Sequence, residues 1–423
     1  MGPFYRLGNR SFSFSTNGSE ISTDLYNRHR KNQCLLQALQ ERNFDMSEHT
    51  ASRKNIRLGF TIREAKASDS TQLSELSMLL TQQSKLSVLF DRSPNFFDHT
   101  YICTPEPYVV VAQEKESNRI VAAGSVGYRA VFLNGHVEKT RYLSDLKVHP
   151  DYQNGTLAAR IFKAGLKEST EQDIAQTVIL KDNKKSVEVT TSNRATLPNY
   201  FPYDVICSYF LPTFAISFNN QYSVRHATES DIEEMQLLYD SEASLKQFSP
   251  YYDFSKLTKT PEDPYYKGIH LRDYLLMFDR DKKLVAMCGL WDQSSFRKFK
   301  IVGLPTLLNK LMTFRKNASR NAEHTQKPTN SFTLKFLYVH SLAIKNNDGN
   351  LLKILLQKSR NHARRLGFKF ISIGLSKSDP ARSGIEGQTS IMVESLHYLV
   401  TKDGRDPREE LNAYPLYAEP SRL

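Results

Sequence analysis

The chain states one short pattern twice, and that repetition limits its folds more than any other feature. Ile62-Arg63-Glu64-Ala65-Lys66-Ala67-Ser68-Asp69 returns 162 residues later as Val224-Arg225-His226-Ala227-Thr228-Glu229-Ser230-Asp231, with Arg, Ala, Ser and Asp in identical places. Each copy is a short alternating stretch followed by Ser-Asp and then an apolar pattern of helical period. The first helix runs through Leu73, Leu76, Met78 and Leu79, the second through Ile232, Met235, Leu238 and Tyr239. Strand, cap and amphipathic helix is the reading, with Asp69 and Asp231 at the free N–H groups of the helix start.

The register continues downstream. The strand patterns at 119–124 and 283–289 answer each other, as do the helical patterns at 156–168 and 350–366 and the apolar runs Thr177–Leu180 and Phe370–Ile373. The offset grows to 194, and most of the growth is matched by a basic segment, 296–329, without counterpart in the first copy. The sequence therefore predicts an α/β (α+β) chain: a partly ordered tail at 1–57, one mixed-sheet domain at 58–218 and a second at 219–423 carrying the insertion.

Composition excludes several classes. No run approaches the roughly 20 apolar residues of a transmembrane helix, and with no apolar h-region behind a basic start a secretory signal peptide is not expected. Cys34, Cys103, Cys207 and Cys288 are scattered without CxxC spacing, and no histidines stand at ligand spacing. A disulfide scaffold and a metal site have no support, and a reducing cytoplasm fits. The net charge of +12 is uneven, since residues 58–218 carry 17 basic and 17 acidic side chains. A nucleic-acid wrapper would not be neutral through its middle. The excess in 296–329 leaves two readings, a segment packed on its own domain or a peripheral contact with an anionic partner.

Chemistry concentrates at Leu146-Lys147-Val148-His149-Pro150-Asp151-Tyr152-Gln153-Asn154-Gly155-Thr156-Leu157-Ala158. A strand ends, a polar turn containing glycine follows, and a helix opens with small residues. Such a turn aims backbone N–H groups and the positive end of a helix dipole at one point, which suits a pyrophosphate.

This stretch resembles the coenzyme A-binding motif of the GNAT N-acetyltransferase superfamily, V-x-P-x-x-[RQ]-x-x-G-x-[GA]. Val148, Pro150, Gln153 and Ala158 match, while Thr156 stands where the family usually has glycine. The resemblance extends over about residues 60–217: I-R-E-A-K-A-S-D is similar to the family's first strand and helix, and 108–113 and 120–126 to its central hairpin strands. Asn193 and Tyr200 reproduce its N-x-x-A-x-x-x-Y spacing, with Thr196 in place of Ala. It implies acetyl-CoA or another acyl-CoA as co-substrate, held by Leu146, Lys147, Val148, Gln153, Asn154, Gly155, Thr156, Leu157, Ala158 and Asn193. Backbone N–H groups around Leu146–Val148 would serve the thioester carbonyl. Tyr200, on the family's downstream helix, would protonate the leaving thiolate, with Tyr203 as its substitute.

The general base is not marked. The strand positions that the family uses hold Ser144 and Tyr142, and Asp145 is one residue out of phase unless a bulge shifts the register. His149 titrates in a suitable range but sits beside the turn. In the second copy, 342–352 lacks the motif's Pro and Arg/Gln, and Leu352 stands at a small-residue position; a degenerate copy without coenzyme binding is expected. The resemblance implies an N-acyltransferase moving acetyl to an amine of a small molecule or protein. The alternative is a non-catalytic tandem fold that binds coenzyme A or a partner.

Overall fold

The computed structural model describes residues 59–79, 88–153, 155–167, 170, 173–192, 197–214, 221–259, 262–302 and 331–423. The expected tail, Asn154, Asn193, Thr196 and most of the basic segment lie outside the described residues. Residues 59–423 form one compact unit.

The first half runs β1 (Phe60–Glu64), α1 (Ser70–Leu79), β2 (Val88–Asp91), α2 (Phe96–Cys103), β3 (Glu106–Glu114), β4 (Ile120–Leu133), β5 (His136–Val148), α3 (Leu157–Gly165), β6 (Ala175–Leu180), α4 (Lys184–Thr191) and β7 (Asn199–Pro212). The second runs β8 (Ser223–His226), α5 (Ile232–Ala243), β9 (Ser249–Pro250), β10 (Tyr274–Phe278), β11 (Leu284–Trp291), β12 (Lys298–Val302), β13 (Ser331–Leu334), β14 (Phe336–Ile344), α6 (Gly349–Arg365), β15 (Phe370–Ser376) and β16 (Ile391–Thr401). No helix among the described residues is long and apolar enough to cross a membrane.

The residues that repeat in sequence perform the same local task. Arg63 forks onto the carboxylate of Asp69 at 2.7 and 3.0 Å, and Arg225 onto that of Asp231 at 2.7 and 2.6 Å. Each carboxylate also accepts the backbone N–H three residues earlier, from Lys66 and Thr228. The pair ties the edge strand to the turn that launches the helix and satisfies a donor left free at the helix start.

One mixed sheet passes through both halves in the order β1-β3-β4-β5-β6-β16-β7-β15-β14-β11-β10-β8, with β9 added to β4. Read inward from its two ends, the order is the same for each half until the last strands, which are exchanged. β16 lies between β6 and β7, and β7 lies between β16 and β15. The halves expected at 58–218 and 219–423 therefore share a single sheet. The start of the basic segment is ordered as well: β12 joins β13 and β2 in a separate three-stranded sheet.

Alternation along β3 explains how the helices flank the first half. Val109 and Val111 pack with Leu73, Leu76 and Phe96, the side of α1 and α2. Val110 and Ala112 pack with Leu157 and Ile161 of α3 on the opposite face. Neighbouring strand residues point to opposite faces, so an unbroken apolar run buries both. Gly124 of β4 lets α3 approach: a Cβ there would stand 2.6 Å from Ile161 Cγ2. That contact fixes the start of α3 just past the end of β5.

Candidate active site

The site begins with an irregularity in β5. Ala123 pairs with Lys147 and Ser125 with Ser144, so Asp145 and Leu146 together oppose the single residue Gly124. Asp145 takes a φ of +58°. This is a β-bulge, which adds a residue and bends the strand. The bend parts β5 from its parallel neighbour. The two pair only over Arg141–Leu143 against Ala175–Thr177, although β5 continues to Val148 and β6 to Leu180. Leu146 is 39% exposed at this splay.

The turn after β5 closes on itself and leaves the helix start open. His149 Nδ1 accepts from the Asp151 N–H, and the Tyr152, Gln153 and Gly155 N–H groups find carbonyls within the turn. The Gln153 amide donates to the Val148 carbonyl at 3.1 Å and accepts from Lys185 of α4. Gln153 therefore clamps the turn to the strand end. Gly155 and Thr156 are exposed, and Thr156 at the cap position makes no side-chain capping bond. Leu157 anchors the first turn in the core, so the free N–H groups of α3 face outward beside the splay. Leu146, Lys147, Val148, Gln153, Gly155, Thr156, Leu157 and Ala158 thus come together as one continuous edge.

Two sequence expectations are corrected. Tyr200 does not lie on a helix: α4 ends at Thr191, and Tyr200 is the second residue of β7, opposite Val400. Its ring lies 6.2 Å from each of Phe162 and Tyr398, edge-on, and burial raises its pKa. Tyr203 packs likewise against Phe248 and His397. Asp145 does acquire the bulge it needed, but its carboxylate is already engaged. Both Nη atoms of Arg92 grip it, and Lys147 Nζ lies 3.0 Å from Oδ1. Burial pushes its pKa up, yet the charges of Arg92 and Lys147 outweigh that and hold it well below the carboxylate range. An anion so stabilised is a poor proton acceptor.

Its partner is the better one. Burial, with the Arg92 charge in addition, lowers Lys147 to about 8 against the opposing pull of Asp145. His149, the other sequence candidate, is bound to Arg119 at 2.9 Å through Nε2. Tyr142 is buried under Arg129, whose guanidinium lies 4.1 Å from the ring centre.

Sequence reasoning missed the lining on the α2 side of the bulge. Arg92, His99, Arg129 and Arg297 are all buried there. Burial first, and then the charges of Arg92 and Arg297, hold His99 well below its ordinary range, so the ring is neutral. No local pattern marks these residues; they converge from α2, the strand before it, β4 and the start of the basic segment. A cleft of about 630 Å³ lies farther along α1, between Ser74, Met78, Pro94 and Arg119, and no residue of the splay lines it.

The second half repeats the bulge and fills it. Met287 pairs with Ala343 and Gly289 with His340, so Ser341 and Leu342 oppose Cys288, and Ser341 has a φ of +45°. Here β14 and β15 pair only over Phe336–Tyr338 against Phe370–Ser372. The gap is occupied by residues 416–422. The Ser341 N–H donates to Glu419 Oε1 at 2.6 Å and the Leu342 N–H to the Tyr417 hydroxyl at 3.3 Å. Pro420 lies so close that a Cβ on Gly374 of β15 would stand 2.3 Å from it. Asp348 caps α6 by accepting the Asn350 N–H at 2.7 Å, placing a carboxylate where an anion would sit. Leu352, expected to crowd a phosphate, is instead buried in the core. Among the described residues, no group of three His, Cys, Asp or Glu side chains could hold a metal.

No family model and no curated protein matches the sequence. Solved structures do match. The chain is similar to Saccharomyces cerevisiae N-myristoyltransferase with bound myristoyl-CoA, with a TM-score of 0.54 and 13% identity over 87% of this chain and 92% of that one. It is also similar to a GCN5-related N-acetyltransferase from Sphaerobacter thermophilus, with a TM-score of 0.50 and 11% identity over 82% of this chain and 97% of that one. At such identities the likeness is one of fold: the chain has a GNAT-like mixed α/β fold.

Proposed function

We propose that the chain is an acyl-CoA-dependent N-acyltransferase whose chemistry takes place at the Asp145 bulge. The reading rests on the contrast between the two splays. In the second half, a carboxylate, a hydroxyl and a proline of the chain itself occupy the gap. In the first, the splay is lined by an exposed leucine and stands beside a helix start without a side-chain cap. An acyl thioester matches that pair of features: pyrophosphate oxygens for the N–H groups of α3, and a pantetheine arm with its acyl carbonyl for the parted strands. The second half is then a diverged copy that keeps the geometry and has lost the ligand.

In the step proposed, the acceptor nitrogen attacks the thioester carbonyl carbon. The C–N bond forms, the C–S bond breaks, and the amine proton passes to Lys147. Backbone N–H groups near Leu146–Val148 receive the carbonyl oxygen, and Tyr200 returns a proton to the thiolate. Asp145 orients Lys147. Acetyl-CoA is the proposed donor, with a cytoplasmic setting that keeps the buried thiols Cys103, Cys207 and Cys288 reduced. The neighbour that holds myristoyl-CoA makes a long acyl chain the comparison to run beside it.

Thermal unfolding with each thioester tests the binding half of this reading. A ligand at 100 times its Kd stabilises the folded chain by about 2.7 kcal/mol, so the Tm should rise by a few degrees. Thiol release in the presence of an amine panel tests the chemistry. Stabilisation without thiol release from any amine would leave the non-catalytic, coenzyme-binding alternative. No stabilisation by either thioester would remove the reading altogether.

A further inference from the structure

Arg297 is a buried charge. It precedes β12, is 8% exposed, and has no carboxylate partner among the described residues. Its Nη1 reaches Gln293 Oε1 at a long 3.4 Å, and its Nε has no hydrogen-bond partner among them. Phe90 and Tyr338 cover it, with ring centres 4.8 and 5.3 Å from the guanidinium carbon. The other buried guanidiniums make firmer contacts: Arg92 holds Asp145, Arg141 holds Asp173, Arg422 lies 3.8 Å from Glu419, Arg129 donates to Gln176, and Arg360 donates to the Pro212 carbonyl and Gln388. Burying a cation is expensive unless an anion or several good acceptors meet it. Its fork of N–H groups matches a planar oxyanion such as a carboxylate.

Arg297 also lies close to the bulge. Phe90, which covers it, stands two residues before Arg92, and Arg92 holds Asp145 and lies 5.1 Å from the Phe96 ring centre, with Lys147 Nζ 6.0 Å from the same ring. The charges of Arg297 and Arg92 both act on His99. His99 has a second unpartnered buried atom, Nδ1, and Arg92 a third, Nε. A cationic cluster with unpartnered buried N–H groups therefore lies beside Asp145 and Lys147.

We infer that the acceptor is a small amine that also carries a carboxylate, which Arg297 binds through its free N–H edge while the amine is directed to Lys147 at the bulge. The inference rests on the acyltransferase reading and adds the substrate class. A carboxylate is favoured over a phosphate because a single guanidinium offers one flat pair of donors rather than the several that a dianion requires. In the reaction an ammonium acceptor loses two protons, one carried off by the leaving thiol and one released, as the amide forms.

The test uses the full chain and matched amines: lysine against cadaverine, and 6-aminohexanoate against hexylamine, with phosphoethanolamine as the phosphate arm. Thiol release from acetyl-CoA gives kcat/KM for each, and thermal shift gives binding. Wild type should favour the carboxylate member of each pair by about 100-fold, the range for a charge-assisted bidentate contact. In Arg297→Gln that ratio should collapse toward one, with the change in KM. Arg297→Lys, which keeps the charge but not the fork, should fall between. Equal use of matched amines by the wild type, preference for phosphoethanolamine, or a ratio that survives Arg297→Gln would overturn the inference. If no amine releases thiol, stabilisation by 6-aminohexanoate decides: its absence, or its persistence in Arg297→Gln, is equally fatal. Failure of acetyl-CoA to stabilise the wild type sinks the acyltransferase reading instead, and the 6-aminohexanoate arm shows whether Arg297 still binds an anion.

Discussion

Two residues at the bulge carry opposite consequences of the same burial. Asp145 stays an anion because Arg92 and Lys147 flank it, and Lys147 is drawn down to about 8 because burial and Arg92 oppose its charge. If Lys147 takes the amine proton, log kcat/KM should show a rising limb with an inflection near pH 8. Lys147→Met should erase it, leaving only the titration of the acceptor amine. Stability follows the same linkage. The unfolded lysine titrates near 10.5 and the folded one near 8, so between these values the unfolded chain holds the extra proton. This group's contribution to stability must therefore rise with pH across that window. Tm measured from pH 7 to 10 should show the difference between wild type and Lys147→Met growing in favour of the wild type. Tyr200 makes a different forecast. Its ring sits between Phe162 and Tyr398, so Tyr200→Phe keeps the packing and should barely move the Tm. Loss of the proton donor should lower single-turnover rates by at least ~10²-fold. Unchanged turnover would remove Tyr200 from the mechanism.

At the level of elements, α3 and α6 each follow a bulged strand and begin in opposite ways. The start of α3 has an exposed glycine and threonine, while α6 carries its own carboxylate at Asp348. Gly155→Asp combined with Thr156→Glu puts two negative charges where phosphate oxygens would lie. The stabilisation by acyl-CoA should vanish while far-UV circular dichroism stays that of the wild type. Asp348→Ala should do the reverse. It removes a cap worth about 1 kcal/mol and lowers the Tm, while the increment added by acyl-CoA remains. Loss of the increment from both changes would show that the two helix starts are not divided in this way.

For the whole molecule, the exchange of last strands makes the halves interdependent. Without β16, both β6 and β7 would present bare edges, and without β7 the same holds for β15 and β16. Exposed edges of that length invite aggregation. Residues 59–218 expressed alone should be insoluble or collapsed without cooperative unfolding, and co-expression with 219–423 should recover a complex of the size of the intact chain on gel filtration. A monomeric, cooperatively unfolding 59–218 would show that the exchanged strand is dispensable.

Local order was legible because periodicity reports which side of an element is buried. The apolar runs and helical spacing read from the sequence correspond to α3, β6, α6 and β15 within a few residues and to the start of β4, and the paired Arg–Asp motif stands at both helix starts. The condition that the sequence set for Asp145, a bulge that shifts the register, is met in β5. Periodicity is silent about which strand is the neighbour. β7 and β16 are long, mixed strands of similar pattern, and the choice between pairing at home and crossing over depends on packing between halves. Spacing alone is equally silent at Tyr200: the resemblance implied a helix there, whereas Tyr200 is the second residue of the strand Asn199–Pro212. Charges were the least readable. Arg92 meets Asp145 across 53 residues, and Glu419 meets Ser341 across 78. A sequence records that such groups exist; only the tertiary structure decides which of them lose water, which find a counter-ion, and which, like Arg297, meet none among the described residues.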